Sequence, residues 1–314
     1  MKYLGRLLLL WIPTLLLILL GIYALAFYGA GDPIKLIFLR APGDVAYDPD
    51  RIEAIRASAG LDRPFFEQFF SYVGRLITGD FGNSLVSGRP VATIIAEAAP
   101  VSLQLGLLTI VVTALVGVPL GLVSAFNERR PVDVAISSAS LLLWAIPPYV
   151  LAPLLMVALL TFMPGTPLPL GWNGALDPKV VFPIAILALQ PIALIQRQTR
   201  TAALEVLGEN HVRTARAKGL SEWTVGLRHV LRPALVPVVT QLGLILITFI
   251  NGAIFVEIVF SLPGLGRLTV QALTGSDYPV ILAITLIGAL SVMASNLVVD
   301  LLYVVLDPRT RAAR

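Results

Sequence analysis

The chain has 314 residues, of which 57% are hydrophobic and only 13% charged, with a formal net charge of +4. Apolar runs long enough to cross a bilayer recur along its whole length, so an ordinary soluble domain is excluded and a polytopic membrane protein expected. The chain has no cysteine and only two histidines, which excludes disulfides and thiolate metal sites and leaves no His-rich metal or catalytic cluster.

Lys2 and Arg6 precede an uncharged run from Leu7 to Phe27. The basic start and Ala24-Leu25-Ala26 imitate a signal peptide, but the run exceeds a signal core and suits a span of about 20 residues. We therefore expect an uncleaved first transmembrane helix over residues 1–27. Residues 28–100 differ in kind, being polar, rich in Gly and Pro, and charged with both signs. Within them FFEQFFSYVGRLI places Phe65, Phe66, Phe69, Phe70, Val73, Leu76 and Ile77 on one helical face. Two readings fit: a small extramembrane cap packed on itself, which is the simpler, or a helix on the membrane surface or a partner.

Five further spans follow at roughly Val101–Phe126, Val134–Phe162, Val180–Ile195, Ala234–Phe260 and Val280–Leu306. Prolines inside them are compatible with membrane helices, where neighbours satisfy the freed carbonyls. Gly117 and Gly121 in GVPLG form a small-xxx-small pair suited to close helix packing. Lys and Arg concentrate at the N-terminus, in Arg129–Arg130, between Arg197 and Arg232, and at the C-terminus, while the short loops Met163–Lys179 and Ser261–Pro279 hold only Lys179 and Arg267. The positive-inside rule then predicts six spans with both termini cytoplasmic. The parts are a first helix (1–27), a large extracytoplasmic loop (28–100) and a five-helix core (101–314) containing a cytoplasmic loop at 201–233.

That loop carries the least expected stretch, HVRTARAKGLSEW. Thr201 to Lys218 suits a helix, with Gly208 its weak point. Arg216 and Lys218 fall in its last turn, Gly219 where a left-handed C-cap is wanted, and Ser221 and Glu222 where a new helix begins. The second helix is expected to run to about Arg232, with Pro233 opening the next span. A solvated positive-inside loop needs neither this length nor these caps. Attraction to anionic lipid is a second reading, and a DNA-binding helix-turn-helix, which lacks base-reading side chains here, a third. The fourth is docking into a cytoplasmic protein, with Ala215, Ala217 and Gly219 admitting backbone to a groove and Arg213 and Arg216 orienting it by charge. Geometry favours the fourth. A phosphate loop, a nucleophile elbow and a His-Glu-x-x-His pair are all missing, so the chain has no ATPase site of its own and an intramembrane enzyme or receptor is poorly supported.

RTARAKGL (Arg213 to Leu220) followed by RHVLRPALVPVVT (Arg228 to Thr240) resembles the cytoplasmic "EAA" loop of binding-protein-dependent ABC importer permeases, most closely the dipeptide/oligopeptide/nickel branch. Arg213, Thr214 and Ala215 stand where the wider family has Glu-Ala-Ala, and Gly219 falls on the family's invariant glycine. APGDV (41–45), GLDRP (60–64), GDFGNSL (79–85), PLGLVSA (119–125), VEIVFSLPGLGRL (256–268), DYP (277–279) and NLVVDLLYVVLDPR (296–309) extend the resemblance over nearly the whole chain. Phe81 and Pro233 depart from the usual leucine and asparagine. The resemblance implies an all-α, six-helix type I importer transmembrane domain in a prokaryotic inner membrane, importing di- or oligopeptides, or else nickel complexes, glutathione or oligosaccharides. It implies as partners a second permease subunit, two ATPase subunits that bind ATP and Mg²⁺, and an extracytoplasmic binding protein. No cofactor in this chain and no nucleic acid are implied. Arg213, Thr214, Ala215, Arg216, Ala217, Lys218, Gly219 and Leu220 would then form the coupling helix that docks on an ATPase.

Polar groups at depth are few: Gln104, Gln190, Gln241, Asn251, Glu257 and Asn296. Such amides more often bond neighbouring helices than line a path. Gln190, Gln241, Asn251 and above all Glu257, the one acid far from the inner end of a span, are the pathway candidates. Glu257 could also pair with Arg267, while Asp300 and Asp307 are expected to organise the C-terminus.

Overall fold

A computed structural model describes residues 2–29, 63–250 and 253–306. Asn251, Asp307 and the APGDV motif lie outside these residues, as does much of the segment 28–100. The chain forms two compact units, Met1–Pro100 with Gly264–Met293 and Val101–Pro263 with Ala294–Arg314.

In the first unit, α1 (Lys2–Ala24) continues through a π-helical stretch, Leu25–Gly29. The amphipathic α2 (Phe65–Ile77) begins after Pro64. Its Phe69 and Tyr72 are buried with Leu19 of α1 and Leu282, and the Tyr23 hydroxyl donates to Gln68 at 3.2 Å. The sequence-derived face is thus only half used: Phe65 and Phe69 pack against the Tyr23 ring at tilted and edge-on angles, whereas Phe66, Phe70 and Ile77 remain exposed. Burial raises the Tyr72 phenol to about 12. GDFGNSL folds into a turn with Gly79 and Gly82 at positive φ. The Asp277 carboxylate, from DYP, accepts from the Ser84 hydroxyl and from the Leu85 N–H. Two motifs far apart in sequence therefore meet. The unit also holds α11 (Leu265–Gly275), the start of α3 (Val91–Phe126) and most of α12 (Tyr278–Leu306).

In the second unit, α3 (Val91–Phe126) starts ten residues before the expected span, because Val91 and Ile95 have an apolar core to enter in the first unit. The expected span Val134–Phe162 is two helices, α4 (Pro131–Ala145) and α5 (Pro148–Phe162), bent by 90°. Pro147 and Pro148 explain the break, since neither can donate an N–H and each disfavours helix before it. The short expected span at 180 becomes α6 (Val181–Leu207), which extends well into the predicted loop. Asp177 opens this segment by accepting from the Lys179 N–H at 2.9 Å, a bond that lowers its carboxyl below the usual range.

Past α6 come α7 (Asn210–Ala217), the single turn α8 (Glu222–Thr224), a π-helical stretch Val225–Val230, α9 (Leu231–Ile250) and α10 (Ile254–Val259). The expected single helix from Thr201 to Lys218 breaks at Gly208, and no break occurs at Pro233, which sits in the first turn of α9 where its missing N–H costs least. α6 is the centre, packed by α4, α5, α7 and α9. By length and apolarity, four helices among the described residues can cross a membrane, and a fifth if α4 and α5 are one broken span, while α1 contributes the shorter apolar helix Trp11–Ala24.

Candidate functional site

The loop is built from α6 outward. The α6 chain leaves its helix at Gly208 and re-enters at Glu209, whose extended backbone caps α7. Val212 and Ala215 are buried with Ala125 of α3, Ala202, Ala203 and Val206 of α6, and Val225 and Val230. The C-terminal ends of α3 and α6 are therefore the floor on which the segment sits. Gly219 at φ +79° reverses the chain, and the Gly219 N–H reaches the Arg216 carbonyl at 2.9 Å while that of Leu220 reaches Ala215 at 3.4 Å. This is a left-handed helix stop. The Ser221 hydroxyl then caps α8 by accepting from the Thr224 N–H at 3.3 Å. Arg216 and Glu222 close the turn with a bidentate pair, both bonds 2.9 Å.

Of the eight candidate loop residues, Ala215 alone is buried; Arg213, Thr214, Arg216, Ala217, Lys218, Gly219 and Leu220 are exposed. An added Cβ at Gly219 would meet nothing within 4 Å. The segment therefore presents a low, basic ridge with open space around its glycine. Trp223, 76% exposed, stands beside it and was not among the sequence candidates, although an unburied Trp next to a charged turn is itself a docking signal.

Sequence reasoning also missed a clamp beneath the loop. The Arg200 guanidinium on α6 donates to both carboxylate oxygens of Asp133 on α4, at 2.7 and 2.8 Å. Asp133 accepts further bonds from the Ser124 hydroxyl and, at 2.8 Å, from the Arg129 N–H. Its side chain is 5% exposed. An acid in the first turn after Pro131 is visible in sequence, but its partner is 67 residues away.

Above the clamp, α3 and α6 touch with almost no side chain between them. A Cβ on Gly121 would lie 2.5 Å from Thr199 Cβ and 2.6 Å from the Gln196 carbonyl; on Gly117 it would lie 2.9 Å from Ile195 Cγ2. The small-xxx-small pair is thus a helix contact.

The pathway candidates have separate partners. The Gln190 amide donates to the Trp144 carbonyl at 3.0 Å, at the break between α4 and α5. Arg197, about two turns further along α6, lies over the Trp144 ring at 5.6 Å. Glu257 on α10 is fully buried and accepts from the Ser102 hydroxyl at 2.7 Å. Gln241 on α9 is half-buried, and Asn251 lies outside the described residues.

A family model described as the binding-protein-dependent transport system inner membrane component matches residues 117–312. The chain is 35% identical to the oligopeptide transport system permease protein OppB of Haemophilus influenzae, covering 99% of each chain. It is 36% identical to AppB, an oligopeptide transport system permease protein of Bacillus subtilis, covering 93% of this chain and 95% of that one. To DppB, a dipeptide transport system permease protein of Lactococcus lactis subsp. cremoris, it is 34% identical over 84% of this chain and 86% of the relative. Among solved structures, a chain of the inward-facing MetNI methionine ABC transporter superposes with a TM-score of 0.56 at 18% identity, covering 68% of this chain and 96% of that one.

Proposed function

Because the chain belongs to the family of binding-protein-dependent transport system inner membrane components, we propose that it is a permease subunit of an ATP-driven importer of di- or oligopeptides. It forms half of the translocation pathway, paired with a second permease, above two ATPase subunits that bind ATP and Mg²⁺, and below an extracytoplasmic binding protein. Its termini lie in the cytoplasm, so α6 enters the membrane from outside and delivers its inner end to the coupling segment Arg213–Leu220.

One observation carries this reading: a pre-formed, exposed helix–Gly219–helix ridge seated on the inner ends of α3 and α6. A groove in an ATPase can take the ridge because nothing bulky stands beside Gly219, while Arg213 and Lys218 supply orientation by charge. Movement of the ridge reaches the spans through the buried Val212 and Ala215. The names of the relatives point to peptides as solute.

The test reconstitutes the chain with its partner subunits and binding protein. Gly219→Asp and Arg213→Glu should each lower peptide uptake at least about tenfold and weaken co-purification with the ATPases, as loss of a central interface residue does. Full uptake by both variants would overturn the coupling role. Mass spectrometry of ligand retained by the cognate binding protein separates peptides from nickel complexes, glutathione or oligosaccharides.

A further inference from the structure

We propose that Arg197, held over Trp144 beside the α4–α5 break, binds the terminal carboxylate of the peptide during its passage; this rests on the peptide-import reading above. Three features of the structure converge on it.

The first is where the guanidinium goes. Counted at 1.5 Å per residue from Val181, Arg197 stands about 24 Å down α6, inside a hydrocarbon layer about 30 Å thick. A long basic side chain near the inner end of a span usually snorkels toward the nearer surface. Arg200 reaches the first turn of α4 to meet Asp133. Arg197, one turn earlier, reaches Trp144, roughly 16 Å further along α4 and away from the inner end. Its guanidinium lies against the Trp144 ring. Charged groups held at depth face a water-filled path or a partner instead of lipid.

The second is what Arg197 lacks. It is exposed, and among the described residues no carboxylate pairs with it. A cation over a ring uses the ring face and leaves the N–H fork of the guanidinium available. That fork fits a carboxylate in a bidentate manner.

The third is the surface beside it. The 90° bend interrupts a helix pair long and apolar enough to be one broken span, and irregular backbone in a span is tolerated where it is buried in protein or lines an aqueous cavity. Here the exposed surface is mixed, with Leu142, Ile146 and Val150 beside the polar groups. Gln190 covers the Trp144 carbonyl, while Trp144 and Tyr149, on either side of the bend, are 42% and 52% exposed. Interrupted helices with satisfied ends are how transport proteins present polar groups to a solute. Every linear peptide ends in a carboxylate whatever its side chains, so an arginine here recognises the class and not the sequence.

The experiment uses the full importer with one short peptide as the free acid and as the C-terminal amide, both first shown to load the binding protein. Wild type should import the free acid faster by about tenfold, the scale of one charge-assisted bidentate pair. Arg197→Gln should remove that preference by slowing the acid and leaving the amide, and Arg197→Lys should restore part of it. An equal loss for both peptides, or no loss, would overturn the proposal. A wild type without preference would overturn it too, and that arm needs no variant to fold. Failure of wild type to import either peptide would instead sink the peptide reading, and this inference with it.

Discussion

At the scale of single residues, the firmest element is the Asp133–Arg200 pair. An enclosed ion pair is costly to break from one side, because the survivor is left charged and desolvated; removing one partner typically costs about 3–5 kcal/mol. Asp133→Asn should therefore lower the thermal midpoint of the purified protein more than Asp133→Leu combined with Arg200→Leu, since the double change leaves no orphan charge. A double variant as unstable as the sum of its singles would show that the two groups act independently. This pair also marks how far the sequence could be read. The caps at Gly219 and Ser221 are local and were visible in the letters around them. Asp133 and Arg200 sit on different helices, and only the fold brings them together. Likewise Gln190 and Glu257 were picked out as polar groups at depth, but their bonds to the Trp144 carbonyl and to Ser102 depend on neighbours far along the chain.

At the scale of helices, apolar run length located four helices long and apolar enough to cross a membrane, and a fifth if α4 and α5 are one span, while their ends and breaks followed from packing. α6 outran its expected length because Ala202, Ala203 and Val206, past the expected end at Ile195, have an apolar floor to join. The bend after Ala145 was foreshadowed by two consecutive prolines, which composition alone treats as tolerable inside a span. The contact of α3 with α6 gives a sharp expectation. Gly121→Ala puts a methyl against backbone and a β-branched Thr199, so the helices must separate, with an overpacking cost of about 1–3 kcal/mol. Gly117→Ala meets Ile195 Cγ2 and Cβ at 2.9 and 3.0 Å and the Ile192 carbonyl at 3.1 Å, looser contacts than those at Gly121, and should cost less. Thermal unfolding in detergent orders the two, and equal midpoints would mean that α3 and α6 part easily.

At the scale of the molecule, the charge asymmetry of the loops predicts an orientation that is open to direct measurement. The natural chain has no cysteine, so each introduced thiol is read without background. Leu176→Cys, 96% exposed in the turn before α6, should react in intact cells with a membrane-impermeant maleimide. Lys218→Cys should react only once the membrane is opened; the reverse pattern would invert the topology.

The closed turn at Gly219 has a further consequence. Arg216 and Glu222 grip each other across it and two backbone bonds stop α7 behind it, so the ridge holds its shape with nothing bound. A segment already ordered gives up little conformational entropy when it meets a partner. On the coupling role proposed above, encounter would be governed by diffusion and charge rather than by the search of a disordered loop, and contact could be made and released in every cycle without refolding the contact itself.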